Sequence, residues 1–211
     1  MQLGIVVDSH LEALALNQAF GKPAASFGSN GFVVSRWDME YSSHKIFSVV
    51  GEYGSIDAAI CTQYLIDRCN ITKALNIGFA YNIRGKKSSS EFGIVTCSYY
   101  RDAKYSAIAS VSSDEEAVDT KRAPDFAKLI CASDGLVTTV DEEGKAFGLS
   151  LNAIDIYDAG SAAIMVTCNR GRIPVSCLKY IAAKDKWLEE AGGLSMKLAK
   201  RVRDMITEGV I

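Results

Sequence analysis

Residues 153–185 have the sequence AIDIYDAGSAAIMVTCNRGRIPVSCLKYIAAKD, in which two short apolar runs lie on either side of a helical pattern. The runs at 154–157 and 175–181 have the length of buried strands, and residues 159–168 predict a helix between them. A strand, a helix and a strand in succession are typical of an α/β protein with a mainly parallel sheet. Ligands bind such a sheet at the carboxyl ends of its strands, so a site is expected there.

The rest of the chain continues this alternation. Further strands are predicted at 3–7, 31–37, 45–50, 74–77, 93–99 and 128–132, and helices at 11–20, 56–69, 141–147 and from 185 onward. The pattern of the helix at 56–69 places Ile56, Ala59, Ile60 and Tyr64 on one face. We therefore expect residues 1–211 to form one α/β domain, with a central twisted, mixed β-sheet flanked by helices.

Composition excludes several classes of protein. The chain has 211 residues and a formal net charge of −2, which gives no electrostatic basis for binding nucleic acid. No apolar run approaches the roughly 18 residues of a membrane helix. The first apolar run ends at Asp8, too early for a signal peptide, so a cytoplasmic protein with no membrane partner is expected.

The six cysteines also favour a reducing compartment. They lie at positions 61, 69, 97, 131, 168 and 177, none forms a Cys-x-x-Cys pair, and most occur in apolar runs. Free cysteines in the core of a cytosolic protein have this distribution. With two histidines and no ligand spacing, neither a metal site nor a cofactor is expected.

Several blocks of the sequence match the motifs of one family. Residues 51–67, GEYGSIDAAICTQYLID, follow the pattern S-G-x-G-x-x-N-A-A-x-x-T-Q-x-L-I-D, and residues 76–83, NIGFAYNI, follow N-x-G-x-A-G-G-I/L. Residues 132–138, ASDGLVT, are similar to A-S-G-D-x-F-I, and 173–183 follow I-P-x-x-x-x-K/R-x-I-S-D. The chain therefore resembles the purine nucleosidases and nucleoside phosphorylases, most closely the 5′-methylthioadenosine/S-adenosylhomocysteine nucleosidases.

The resemblance implies a nucleoside phosphorylase-like fold and a defined chemistry. Hydrolysis of an N-glycosidic bond to adenine requires a general acid that protonates the leaving purine. One carboxylate orients the attacking water, another binds the ribose hydroxyls, and an aromatic side chain stacks on the base. The family therefore implies a purine nucleoside or an adenine-like molecule as the ligand, and a homodimer as the assembly, to which the apolar helix at 56–64 would contribute.

The catalytic positions of the family are only partly kept. Glu12 matches the water-orienting glutamate, although a helix carboxylate in solvent is an equal interpretation of the residue itself. The general acid is replaced by Ala183. Asp185, two residues later, is a candidate replacement acid, but it is also suited to cap the last helix.

The positions that would bind substrate are changed as well. The ribose-binding glutamate and the methionine before it correspond to Gly160 and Ala159, and Asp158 either matches a family acid or caps the following helix. The stacking aromatic corresponds to Val137, followed by Thr138. The family's glycine pair, after Ala80, corresponds to Tyr81 and Asn82, and Tyr81 would either fill the pocket or stack on a new ligand.

Three functions are compatible with this pattern. The first is a divergent nucleosidase whose hydrolysis of adenine nucleoside thioethers is weak or lost, since the substitutions concentrate at the pocket while the scaffold motifs are kept. The second is a non-catalytic relative that binds a ligand or a partner chain, for example an active paralogue. The third is a phosphorylase-like transferase, which is disfavoured because nothing basic lines the expected phosphate position.

Overall fold

The computed structural model describes residues 1–29, 32–39, 43–51, 54–82, 91–100, 108–110, 116–133, 145–146, 149–150, 154–182 and 187–211. The helices are α1 His10–Phe20, α2 Gly54–Cys69, α3 Ser161–Gly171 and α4 Trp187–Thr207. The strands are β1 Gln2–Val7, β2 Ala25–Ser29, β3 Phe32–Asp38, β4 Lys45–Val50, β5 Lys73–Asn82, β6 Phe92–Tyr100, β7 Ile108–Ser110, β8 Ala127–Ser133, β9 Lys145–Ala146, β10 Leu149–Ser150, β11 Ile156–Asp158 and β12 Val175–Ala182.

The main sheet is mixed and closes on itself at one end. Its strand order is β11-β8-β6-β12-β5-β1-β4-β3-β2, with β7 also paired to β6. Strand β11 pairs with β8 in parallel and with β5 in antiparallel, so β5, β12, β6, β8 and β11 form a closed ring. The strands β1, β4, β3 and β2 extend from β5 as an arm. The predicted α/β class with a mixed sheet flanked by helices is confirmed.

Helices cover both faces of the sheet because alternate strand residues point to opposite sides. On one face, Ile5, Leu75 and Leu178 pack with α1 and α4, and α1 contacts α4 directly. On the other face, Val6 and Cys177 pack with α2 and α3. Each layer has a core of its own, and β1, β5 and β12 contribute side chains to both.

Helix α4 has one apolar face. Leu194, Leu198, Val202 and Met205 are all buried, and the helix continues through Gly192 and Gly193 without a break. Among the described residues, no helix combines the length and the apolar character that crossing a membrane requires.

Two predictions about local structure are wrong. Residues 145–146 belong to a strand that pairs with β10, where a helix at 141–147 was expected, and the rest of that segment lies outside the described residues. Strand β2, which pairs with β3, was not predicted. Its alternating small and aromatic residues carry little apolar signal, and pairing with its neighbour supplies the stabilisation that the sequence pattern does not show.

The apolar face predicted for α2 points outward. Ile56 is 74% exposed and Ile60 is 51% exposed, whereas Ala58 and Cys61 face the sheet. The backbone of Gly51 comes so close to α2 that an added Cβ would lie 3.2 Å from the Cα of Ala58. Small side chains fit at this close approach, whereas Leu65, further along α2, is large and fully buried.

Candidate functional site

Polar side chains converge where the parallel strands β1, β5 and β12 end. Asp8 directly follows β1, Asn76 lies on β5, and Lys179 and Tyr180 lie on β12. Asp158 is the last residue of β11, which pairs with β5 at the closed end of the sheet. Strand β1 ends beside Ile77 of β5, and β5 and β12 continue past it. The cluster therefore lies at the carboxyl end of β1, where the α/β pattern predicts a ligand site.

Lys179 lies at the centre of this cluster. Its side chain is fully buried, and its Nζ lies 2.7 Å from Oδ2 of Asp8 and 2.8 Å from Oδ2 of Asp158. Asn76 supports the pair by donating from Nδ2 to Oδ1 of Asp8 at 2.8 Å and to the carbonyl of Val6 at 3.0 Å. A buried ammonium held by two carboxylates is costly to remove, because loss of Lys179 would leave both carboxylates without a counter-charge.

Asp158 belongs to the protein interior. Its carboxylate, fully buried, accepts hydrogen bonds from the hydroxyls of Ser133 and Ser161 and from the backbone N–H of Ser161. That N–H begins α3, so Asp158 satisfies one of the donors at the helix start, as the capping hypothesis proposed. Each of these bonds is to a protein group.

The charged groups in this cluster shift one another's pKa values. Burial raises the pKa of Asp8 to about 6, although the nearby Lys179 ammonium opposes the shift. Burial also acts on Asp158, but Lys179 and the hydroxyls of Ser133 and Ser161 outweigh it and lower the pKa of that carboxyl. Burial lowers the pKa of Lys179, and the two aspartates outweigh it and raise the pKa overall. Lys179 is therefore charged, and Asp8 is the member of the trio that titrates nearest to neutrality.

Asp8 is also the member that reaches the surface. Its side chain is 17% exposed, whereas those of Lys179 and Asp158 are fully buried. It packs directly over Gly78, where an added Cβ would lie 1.7 Å from Oδ2 of Asp8. On another side, a Cβ at Gly160 would lie 4.0 Å from Oδ1. Gly78 thus leaves room for this carboxylate, whereas a Cβ at Gly160 would make only ordinary contact with it.

Glu12 is buried, and each of its carboxylate oxygens accepts a hydrogen bond from the protein. It is 1% exposed, its Oε1 accepts a hydrogen bond from the hydroxyl of Tyr180, and its Oε2 accepts one from the hydroxyl of Ser9. Ser9 also caps α1 by accepting from the N–H of Leu11 at 3.2 Å. The interpretation of Glu12 as a helix carboxylate in solvent is wrong. Burial, together with the charge of Glu12, raises the pKa of Tyr180.

Aromatic rings occupy the space beside Glu12. The ring of Phe79 meets that of Tyr81 edge-on at a centroid distance of 4.4 Å and that of Tyr180 at 5.5 Å. Tyr81 is half-buried and also packs against Ile154 and Tyr157. Large rings therefore stand at and beside the position where the resembled family has a glycine.

The structure brings together some of the predicted site residues. Glu12, Tyr81, Asp158 and Gly160 lie around the converging strand ends, whereas Ala80 is buried in the core beneath α2 and α3. Ala159 is half-buried, and its carbonyl accepts a hydrogen bond from Ser55 at 3.1 Å. The remaining predicted residues, Val137, Thr138 and Asp185, lie outside the described residues, as does the substituted acid position Ala183.

Sequence reasoning missed Asp8, Asn76, Lys179 and Tyr180. Two signals could have identified some of them. Asp8 is an acid placed directly after a buried strand, and Lys179 fills the K/R position of the motif at 173–183. The link between Glu12 and Tyr180 joins residues that are 168 positions apart, and no local pattern predicts it.

A second concave feature lies between α1, α2 and the strands β3 and β4. This groove has a volume of about 950 Å³ and is lined by polar and apolar residues, among them His10, Asn17, Val33, Ile60 and Tyr64. Val33 is 63% exposed, and the exposed apolar residues Leu14, Ile56 and Ile60 project from the two helices beside it. Asp8, Asp158 and Lys179 are not among the residues that line this groove.

Known proteins share this fold although their sequences are distant. No protein-family model matches the chain, and no curated protein matches it. Solved structures superpose on nearly all of it, and the fold they have in common is nucleoside phosphorylase-like. These solved structures are of nucleosidases and of a futalosine hydrolase.

Three of them illustrate the match. The 5′-methylthioadenosine/S-adenosylhomocysteine nucleosidase of Helicobacter pylori, solved with butyl-thio-DADMe-Immucillin-A, gives a TM-score of 0.85 at 16% identity over 99% of this chain and 98% of that one. Futalosine hydrolase of the same organism gives 0.85 at 15% identity, with the same coverage of 99% and 98%. The Streptococcus pneumoniae nucleosidase, solved with a transition-state inhibitor, gives 0.77 at 15% over 95% and 97%.

Proposed function

We propose that residues 1–211 form one nucleoside phosphorylase-like domain of nucleosidase ancestry that binds a purine nucleoside or an adenine-like molecule, and that hydrolyses adenine nucleoside thioethers very weakly or not at all. The observation that carries the proposal is the hydrogen bonding of Glu12. Both of its carboxylate oxygens accept hydrogen bonds from protein hydroxyls, those of Tyr180 and Ser9.

The chemistry explains why this arrangement opposes hydrolysis. A carboxylate that orients an attacking water must offer that water an oxygen at hydrogen-bond distance. Glu12 is 1% exposed, and the hydroxyls of Tyr180 and Ser9 each take one acceptor position on its carboxylate. Tyr180 is itself held by packing against Phe79. The acid position, Ala183, has no proton to donate. Loss of a general acid alone costs about 10²–10⁴ in rate.

The position of Tyr81 supports the same proposal. The resembled family has a glycine there, which lets the sugar approach the backbone, whereas Tyr81 in this chain packs against Phe79 and Tyr157. A ligand at this site would contact a ring in place of bare backbone. The alternative is a non-catalytic relative that binds a ligand or a partner chain, and the assay below separates the two by whether any adenine is released.

The test is adenine release from 5′-methylthioadenosine and from S-adenosylhomocysteine by the purified chain. We expect turnover far below the usual enzymatic range of about 1–10³ s⁻¹. Binding is measured in parallel by thermal shift with adenine and methylthioadenosine, since a ligand at 100 times its Kd adds about 2.7 kcal/mol of stability. Turnover near 1 s⁻¹ with either thioether would overturn the proposed loss of activity.

We further propose that the chain is a cytoplasmic homodimer that pairs through the groove between α1 and α2. The exposed apolar residues Leu14, Val33, Ile56 and Ile60 border this groove, and burying such a patch is the usual reason for its presence. A C2 pair would bury the same patch on both copies.

Sedimentation at tens of micromolar tests the dimer. We expect a species of twice 22.8 kDa for the wild type and a monomer for Ile60→Asp, which places a charge in the patch. Lys200→Asp, at an exposed position of α4 that does not line the groove, is the control and should stay dimeric. A wild-type protein that sediments only as a monomer would contradict the proposal.

A further inference from the structure

The carboxylate of Asp8 is rigidly held and has an open side. Lys179 contacts Oδ2 at 2.7 Å, Asn76 contacts Oδ1 at 2.8 Å, and the backbone N–H of Asp8 donates to the carbonyl of Ile77 at 3.2 Å. Gly78 lies directly beneath it. A carboxylate that is fixed by the protein and still 17% exposed can accept hydrogen bonds from a ligand without the cost of ordering a free side chain.

The distance between Gly160 and the carboxylate of Asp8 bears on which residue can supply an acid to the ligand. A Cβ on Gly160 would lie 4.0 Å from Oδ1 of Asp8 and only 3.1 Å from the Cβ of Ala58. A glutamate at 160 would carry its oxygens three bonds beyond that Cβ, at about 1.5 Å per bond. Its carboxylate would therefore reach the space that Asp8 already occupies. A carboxylate from either position can therefore reach the same location.

We propose that Asp8 is the ligand-binding carboxylate of this site and that it accepts hydrogen bonds from the sugar hydroxyls of a nucleoside. The inference rests on the proposed function, because it names the residue that recognises the sugar of that same ligand class. The resembled family implies a ribose-binding glutamate at position 160. In this chain the acid comes from the end of β1 and lies near Gly160.

Asp8 can accept hydrogen bonds from neutral donors. Lys179 from β12 already supplies a positive charge at one of its oxygens. The other ionisable groups that act on Asp8 are Asp158 of β11 and Glu12 of α1. An ionised carboxylate is an acceptor only, so hydroxyl groups are suitable partners.

The ionisation of Asp8 supplies an independent readout. Burial raises the pKa of Asp8 to about 6 against the pull of Lys179. A protonated Asp8 loses acceptor capacity, so recognition of the sugar should weaken as the pH falls below about 6. Binding of adenine, which lacks the sugar, should not depend on the ionisation of Asp8.

The experiment compares 5′-methylthioadenosine with adenine, which lacks the sugar, by titration calorimetry on the full chain. We expect the wild type to prefer methylthioadenosine and Asp8→Asn to lose about tenfold or more in affinity for it, as for a hydrogen bond to a charged group. The affinity for adenine should stay unchanged, whereas damage to the structure would lower both. Asp125→Asn, which removes another aspartate held by a basic residue, Arg201, is the control.

The outcomes separate this inference from the function on which it rests. If the wild type binds neither compound, the proposed ligand class fails and the inference fails with it. If the wild type prefers methylthioadenosine and Asp8→Asn retains that preference, only the role of Asp8 is overturned. If Asp8→Asn does not fold, the wild type decides: a preference that is unchanged between about pH 7.5 and pH 5 overturns the proposal.

Discussion

At the scale of single residues, the acids and bases of this site differ most in how far they reach the surface. The side chains of Lys179 and Asp158 are fully buried, whereas that of their neighbour Asp8 is 17% exposed. A group that keeps part of its surface can respond to pH or to a ligand. A sealed pair can only hold the strands together, and its loss would leave a buried charge.

The titration of Asp8 should be visible in stability. Burial raises the pKa of Asp8 from its ordinary value of 3.8 to about 6, so folding favours the protonated form. That contribution is fully present below about pH 4 and is lost as the pH rises through 6. Relative to Asp8→Asn, the wild type should lose about 1–3 kcal/mol of unfolding free energy between pH 4 and pH 7.

Urea unfolding of both proteins at three pH values checks this, with Asp125→Asn as a control of opposite sign. The hydrogen bond from Arg201 lowers the pKa of Asp125, so the contribution of that group is present above its ordinary pKa and is lost as the pH falls. A stability difference between wild type and Asp8→Asn that does not change with pH would be inconsistent with a raised pKa at Asp8.

At the scale of elements, helix α1 is attached to strand β12 through one carboxylate. Glu12 joins the capping residue Ser9 to Tyr180, so the start of the helix, its second turn and the strand are held together. The capping part follows from the sequence, because a serine three residues before a glutamate is a helix-start pattern. The bond to Tyr180 depends on tertiary packing.

Tyr180→Phe should therefore destabilise the protein although it removes only a hydroxyl group. Glu12 would stay buried with one donor fewer, which costs about 1–3 kcal/mol for an unsatisfied buried group. Tyr64→Phe is a matched control, because Tyr64 is half-buried and its edge-on contact with Phe32 is kept by a phenylalanine. Denaturant unfolding gives the values, and equal effects of the two substitutions would contradict the role assigned to Glu12.

At the scale of the whole molecule, the fold is more predictable than the site. Strands β1, β4, β5, β6, β8 and β12 and all four helices follow from apolar periodicity, since each buries one face or both. The site depends on residues far apart in the chain, such as Asp8 with Lys179 and Glu12 with Tyr180. Matching the sequence to family motifs singled out Glu12 and Gly160. It could not show that protein hydroxyls donate hydrogen bonds to Glu12, or that the carboxylate of Asp8 lies near Gly160.

Activity should accordingly resist repair at a single position. Ala183→Asp alone should not produce adenine release from methylthioadenosine, because the hydroxyl of Tyr180 still donates to Glu12 and the ring of Tyr81 still packs against Phe79. Adding Tyr81→Gly and Tyr180→Ala should raise the rate above that of the single variant, since groups that act as a unit restore function only together. The assay measures adenine under single-turnover conditions. A single variant as active as the combined one would show that the acid alone was missing.

The ring of strands also affects how the sheet meets other chains. An open sheet presents unpaired backbone groups along both of its outer strands, and these can template aggregation. Here β11 turns back onto β5, so that end of the sheet pairs with the protein itself. Apart from the short β7 beside β6, the strand path in the described part of the chain ends at β2, which is only five residues long. The same closure that gathers the strand ends around Lys179 therefore protects the sheet from edge-to-edge assembly.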